Sequence, residues 1–345
     1  MQIIILFIIA VLLIAIAVYS CLFYPQQMMP IGKPLEVTTI QPEKYHHDCL
    51  HPCIRYDKKS NKYYMSQSPD YGWNNRVENP MFYESDDYMH WYRGQLIADT
   101  PETGYNSDPN IYIEDCRVFF LWRECHTPLC ASLGCVNATV GGWIENGKME
   151  KKHVLCRNNS HEGDKEQCPI LIKHDGAYYI YGAWYQYEPI RKNKGIAIWK
   201  SESLDNPKFD LAETIPFESV YTVDKKVNIP LFGHVFYIPK PLKHDMWHFD
   251  LFEYAGKLYM VSVAEKGDNI MLSVSEDWRH FKTFRKPLVN NHYTENYSGY
   301  RQYFYKPTAF IKDDELHVFY TANAKDDPAR NQLYHTSLPI KEILK

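Results

Sequence analysis

From about residue 34 onward, the hydrophobic positions fall into short runs with the period of β-strands rather than into helical stripes. Five segments repeat one order: a polar or His/Asp start, a proline or aromatic residue, an apolar strand, a turn, and an aromatic-rich second strand. They read HPCIRYDKKSNKYYM at Pro52, DPNIYIEDCRVFFLW at Pro109, CPILIKHDGAYYIYG at Pro169, HFDLFEYAGKLYMVS at Phe249 and KPTAFIKDDELHVFY at Pro307. The openings lie 57, 60, 80 and 58 residues apart. His174-Asp175-Gly176, Ala255-Gly256 and Asp313-Asp314 supply hairpin turns between paired strands. A third strand follows in Phe82–Trp91, Ile196–Phe209, Met271–Phe281 and Leu333–Leu338, where Trp91 and Phe281 are expected to pack between repeats. Such a unit cannot bury both faces alone, so five of them predict four-stranded sheets packed around an axis. The expected fold is all-β, a five-bladed β-propeller. The 80-residue interval predicts an insertion between about Pro216 and Trp247, and Pro34–Ile40 is expected to close the last blade as its outermost strand.

The N-terminus has a different pattern. Ile3 to Tyr24 is a run of 22 residues without a charged side chain, long enough for a helix to cross a hydrocarbon core about 30 Å thick. It lacks the basic start of a cleaved signal peptide and exceeds the usual ~7–15 apolar residues. The expected organisation is a transmembrane or signal-anchor helix over 1–24, a linker over 25–33 and the propeller over 34–345. Eight cysteines follow Cys21: Cys49, Cys53, Cys116, Cys125, Cys130, Cys135, Cys156 and Cys168. An even count in an anchored ectodomain predicts disulfides. A zinc site in CHTPLCASLGC is disfavoured, because the spacing is not CxxC and no paired half follows. Sequons at Asn137, Asn158 and Asn296 fit a glycoprotein. Together these readings predict a single-pass membrane protein with its propeller on the extracytoplasmic or lumenal side.

Charge narrows the partners. With 38 Lys plus Arg against 42 Asp plus Glu, the formal charge is −4, which argues against nucleic-acid binding. Twenty-eight Tyr, 16 Phe and 8 Trp suit a strand-rich core, and also a cleft that stacks sugar faces.

The repeated openings, Glu78-Asn79-Pro80, Ser107-Asp108-Pro109 and the S-x-D-x-x-x-W/F strand ends resemble the five-bladed glycoside hydrolases, from about Pro34 to Leu338. Arabinofuranosidases, xylosidases and invertases are the familiar members, with mannoside phosphorylases more distant. The resemblance implies a carbohydrate ligand. It also implies a base Asp before the first blade's proline, a second Asp in blade two and an acid Glu in blade three. Asp108 matches the second position. The first is His51, with Asp48 three residues earlier, and the third reads as Gln167, with Glu166 beside it.

In a propeller the innermost strands begin around one end of a central channel, so residues at the repeat openings converge there. Asp108, Glu166, Asp48 and Asp250 are the candidate carboxylates, since glycosidic hydrolysis uses a proton donor and a second carboxyl group. His51, Glu78, Arg123, Gln167, His248 and Arg301 are the candidate substrate-binding groups, with Lys306 and the polar run Tyr185–Lys194 nearby. No cofactor is implied. A channel-bound divalent ion such as calcium is compatible with His248, but no ligand spacing specifies one. Three functions follow. The first is a membrane-anchored, glycosidase-like enzyme. The second is a phosphorylase with Arg123, Arg301 or Lys306 on phosphate. The third is a non-catalytic propeller that binds glycan or protein.

Overall fold

The computed structural model describes residues 5, 7–11, 33–35, 46–70, 74–158, 165–186, 192–217, 219–229, 234–244, 246–264, 267, 269–290, 303–323 and 331–344. A short strand, β1 (Lys33–Leu35), precedes the first blade. Blade one is β2 (His46–Asp57), β3 (Lys62–Asp70), β4 (Met81–Ser85) and β5 (Tyr92–Leu96), paired in that order. Blade two is β6 (Tyr105–Glu114), β7 (Arg117–Cys125) and β8 (Asn137–Glu145), with β9 (Lys148–Met149) and β10 (His153–Asn158) both pairing to β8. Blade three is β11 (Lys165–His174), β12 (Ala177–Gln186), β13 (Lys192–Ser201) and β14 (Asp210–Ile215). A separate hairpin, β15 (Ser219–Ile229) with β16 (His234–His244), then intervenes where the long repeat interval placed an insertion. Blade four is β17 (Met246–Tyr254), β18 (Lys257–Ala264) and β19 (Asn269–Ser275), edged by β20 (Lys282–Thr283) and β21 (Val289–Asn290). Blade five is β22 (Phe304–Lys312), β23 (Glu315–Asn323) and β24 (Asn331–Pro339). Its outermost strand is β1, paired as Lys33↔His335, Pro34↔Tyr334 and Leu35↔Leu333. The first strand thus closes the last blade, as expected, over these three residues.

The ring closes because every blade face is apolar. Along β7, Phe119 and Leu121 turn toward blade three, while Val118, Phe120 and Trp122 turn toward blade one, the alternation of a strand buried on both sides. Five separate apolar clusters result, one between each neighbouring pair of blades. Trp91 sits in the cluster between blades one and five, and Phe281 packs against the one between blades three and four. The inner hairpins turn on residues with φ above zero: Asp115 and Cys116, Asp175 and Gly176, Ala255 and Gly256, Asp313 and Asp314. That is the two-residue turn whose twist matches the strands. The recurrent strand-end motif also has a local reason. Asp87 accepts from Ser85 Oγ and from the amides of Met89 and His90, and Asp277 does the same with Ser275, Arg279 and His280.

Three expectations change. The anchor falls on residues of which only Ile5 and 7–11 are described; among the described residues no helix is long and apolar enough to cross a membrane. All eight cysteines after Cys21 are free thiols, most of them buried singly in the blades, so the expected disulfides are not formed. Asn137, one of the sequons, is buried on β8 and is not presented for glycosylation.

Candidate active site

All five innermost strands share one irregularity. Register skips between Leu50 and Cys53, Ser107 and Asn110, Gln167 and Ile170, Met246 and Phe249, and Phe304 and Pro307. In each, two residues oppose one, which is a β-bulge that re-aims a side chain. Of the two skipped residues, the first is His51, Asp108 and Cys168 in blades one to three, and the second is His248 and Lys306 in blades four and five. The five together make up a ring of bulge residues. Each is at most 2 % exposed. His51, Asp108 and Cys168 also have φ of 50°, 51° and 55°, and each directly precedes a proline, a conformation that costs on the order of 1–3 kcal/mol per residue. The fold holds this strained ring through the surrounding sheets.

Asp108 is its hub. Arg123, on β7, donates to Oδ2 from Nε at 3.0 Å and Nη2 at 2.9 Å. Oδ1 is left facing His51 Nε2 at 3.6 Å, His248 Nδ1 at 3.8 Å and Cys168 Sγ at 3.5 Å. Burial alone would raise the Asp108 carboxyl. Arg123, with His51, His248 and Lys306 around it, more than offsets that and holds it well below the usual carboxylate range. Burial drives His248 well below its ordinary value against the pull of Asp108, so its ring is neutral. Burial, reinforced by Asp108, pushes the Cys168 thiol well up.

Glu78, just after the single turn Asn75–Val77, supports the ring from behind. Its Oε1 lies 2.8 Å from His51 Nδ1 and accepts from Ser107 Oγ at 2.6 Å. Lys306 Nζ donates to Pro109 O at 3.2 Å, joining blade five to blade two. Tyr305 packs its half-buried ring 5.1 Å from that of His51 and 4.6 Å from that of His248.

His51, Asp108 and His248 each offer a ligand atom, all within 4.8 Å of one another. Two imidazoles and a carboxylate form a donor set for a divalent transition ion. The outer carboxylate on the far nitrogen of His51 is the support that metal-ligating histidines use. The residues present therefore fit a cation.

The structure thus brings together Asp108, His51, His248, Glu78 and Arg123. Asp250 is held by other partners. That carboxylate accepts from Arg55 Nη1 and Nη2 at 2.6 Å each, and from Thr308 Oγ1 at 2.5 Å, which commits it to bracing β17 against β2 and β22. Arg123 is committed to Asp108 rather than open to phosphate. The side chains of Asp48, Glu166 and Gln167 lie outside the described residues, as does Arg301 altogether. Cys168 and Tyr305 were missed. The signal for Cys168 was present, because it stands immediately before Pro169 as His51 and Asp108 stand before their prolines; counting two residues back led to Gln167 instead.

No known protein family matches the sequence, and no curated protein matches it. Among solved structures, the chain is similar to an N-acetylgalactosamine deacetylase from F. plautii in complex with blood group B trisaccharide. The TM-score is 0.67 at 12% identity, covering 92% of this chain and 97% of that one. It is also similar to a GH43 enzyme from Xanthomonas citri, with a TM-score of 0.56 at 11% identity, over 89% of this chain and 90% of that one. An α-L-arabinanase from Cellvibrio cellulosa gives 0.55 at 12% identity, over 84% and 90%. The fold is that of the GH43 propellers. At these identities the likeness establishes the architecture alone.

Proposed function

We propose that this chain is a carbohydrate-active hydrolase whose chemistry runs on a metal centre formed by His51, Asp108 and His248, and that it removes an acyl group from an acylated amino sugar. One observation carries the reading: three buried ligand atoms within 4.8 Å of one another, with Glu78 behind His51. The two-carboxylate alternative has less support among the described residues. Asp108 is bound to Arg123, Glu78 to His51 and Ser107, and Asp250 to Arg55. The deacetylase named above, which acts in a propeller of nearly the same length, supports the choice of reaction.

When bound, a divalent cation would supply Lewis-acid polarisation of the acyl carbonyl and lower the pKa of water. The protein's own groups do the rest. Glu78 holds a proton on His51 Nδ1, leaving Nε2 to face Asp108. Arg123 fixes Asp108 through Oδ2 and frees Oδ1. Lys306 donates one N–H to Pro109 O and retains others for a substrate oxygen. Tyr305 presents a ring beside both histidines. Water adds across the amide, giving a carboxylate and a free sugar amine.

Cleavage of a glycosidic bond is the second reading, favoured by xylosidase and arabinanase neighbours. Tethering through residues 3–24, with the propeller outside the cytoplasm, belongs to the same proposal and is supported by the charge-free run of 22 residues. The test is to incubate the full-length protein with acetylated amino-sugar glycans and with xylan and arabinan oligosaccharides, with and without a chelator. Acetate release that stops on chelation and returns with added metal is expected. Release of reducing sugar, indifferent to the chelator, would establish the glycosidase instead.

A further inference from the structure

Cys168 occupies the third place in the bulge ring, between Asp108 and His248, and neither holds it as a packing neighbour alone. Its Sγ is 3.5 Å from Asp108 Oδ1 and in direct contact with His248 Nδ1, and the residue is fully buried. Asp108 Oδ1 is thus approached by one sulfur and two imidazole nitrogens at 3.5, 3.6 and 3.8 Å. Tetrahedral ligands bonded at about 2.0 Å through nitrogen or oxygen and about 2.3 Å through sulfur stand roughly 3.3–3.6 Å apart. The three separations lie near that spacing, longer than ordinary hydrogen bonds between nitrogen and oxygen. Cys168 Sγ and His248 Nδ1, by contrast, are 2.5 Å apart and must part by about 1 Å for both to bind one ion. Charge points the same way. Asp108 already shares its charge with Arg123, and Lys306 is buried in the same ring. Asp108 and Glu78 together offset Arg123 and Lys306. A divalent ion held by Asp108 and two neutral imidazoles would therefore leave the buried site positive, and a thiolate reduces that excess.

We propose that Cys168 is a fourth protein ligand of this centre, making it a His/His/Asp/Cys site that selects zinc-like ions over calcium or magnesium. The inference rests on the metal-centre reading above and replaces calcium as the expected channel ion. On binding, the S–H bond gives its proton to solvent and sulfur donates its lone pair to the ion; no oxidant or reductant takes part. Thiolate ligation favours zinc and cobalt, whereas calcium and magnesium take oxygen ligands.

The experiment uses the full chain, stripped with a chelator and titrated with cobalt(II) as the probe. Wild type is expected to bind one equivalent and to show a near-ultraviolet sulfur-to-cobalt charge-transfer band. Zinc should abolish that band and calcium should leave it. Cys168→Ser should lose the band and bind cobalt at least about 100-fold more weakly. Cys130→Ser/Cys135→Ser, which removes a neighbouring pair of thiols, should keep it. The wild-type spectrum decides the matter even if Cys168→Ser does not fold. One equivalent of cobalt bound without the band would overturn Cys168 as a ligand and leave the metal centre standing. No cobalt bound at all would overturn both.

Discussion

Glu78 Oε1 lies 2.8 Å from His51 Nδ1, and this pairing decides which nitrogen of His51 faces Asp108. A carboxylate only accepts, so Nδ1, which also lies 3.0 Å from Ser68 Oγ, is the nitrogen that donates to Glu78, and Nε2 faces Asp108 Oδ1, 3.6 Å away. Glu78→Gln keeps the size and weakens that preference. It should lower divalent-ion affinity about 10–100-fold, read by competition with a coloured chelator, with little change in the circular dichroism spectrum. Unchanged affinity would remove Glu78 from the account.

Asp108 and Arg123 form a buried ion pair, so the two single variants should be worse than the double. Asp108→Asn leaves a guanidinium buried without its partner and should cost about 3–5 kcal/mol of unfolding free energy. Asp108→Leu combined with Arg123→Met should recover most of that stability and bind no metal. Denaturant titration beside metal binding separates the two roles. Additive losses would contradict the coupling.

Asp250 should behave as a brace. Its carboxylate is fully buried in the fork of Arg55, and Asp250→Ala should cost about 3–5 kcal/mol. Whatever folds at low temperature should retain the wild-type metal affinity. Selective loss of metal binding at full stability would return Asp250 to the site.

The last blade contains a pH-sensitive pair. His317 Nδ1 and His335 Nε2 are 3.1 Å apart, with the rings stacked at 5.3 Å. Burial, and then His317 beside it, pulls His335 down to about 4. An unfolded histidine titrates near 6.5. Between about pH 6.5 and about 4 the unfolded chain therefore binds a proton that the folded chain does not, and stability falls as pH drops through that window. Urea midpoints should decline across it, and His335→Gln should flatten the decline. An identical slope in the variant would rule the pair out as its source.

The architecture was legible because each blade carries a strand–turn–strand signature that local chemistry enforces: an apolar alternation and a turn tolerant of positive φ, with an Asp-capped strand end in blades one and four. The β15–β16 insertion followed from the repeat spacing, and the closing strand, expected over Pro34–Ile40 because a propeller needs one, is described at Lys33–Leu35. The site was only half legible. His51 looked like a missing base when compared with hydrolases, yet its position directly before Pro52 places it in the same ring as Asp108. Cys168 was set aside as a disulfide partner, since a cysteine count has no information about which strands lie side by side. Asp250 looked like a channel acid, and only the approach of Arg55 from another blade, 195 residues away in sequence, shows its commitment.

A divalent ion held among His51, Asp108 and His248 would show in the protein's metal content. The full-length protein, equilibrated with zinc and then dialysed, should retain one ion per chain by elemental analysis. A folded His51→Ala/His248→Ala variant should retain close to none. Equal metal content in the two proteins, or none in wild type, would contradict the account.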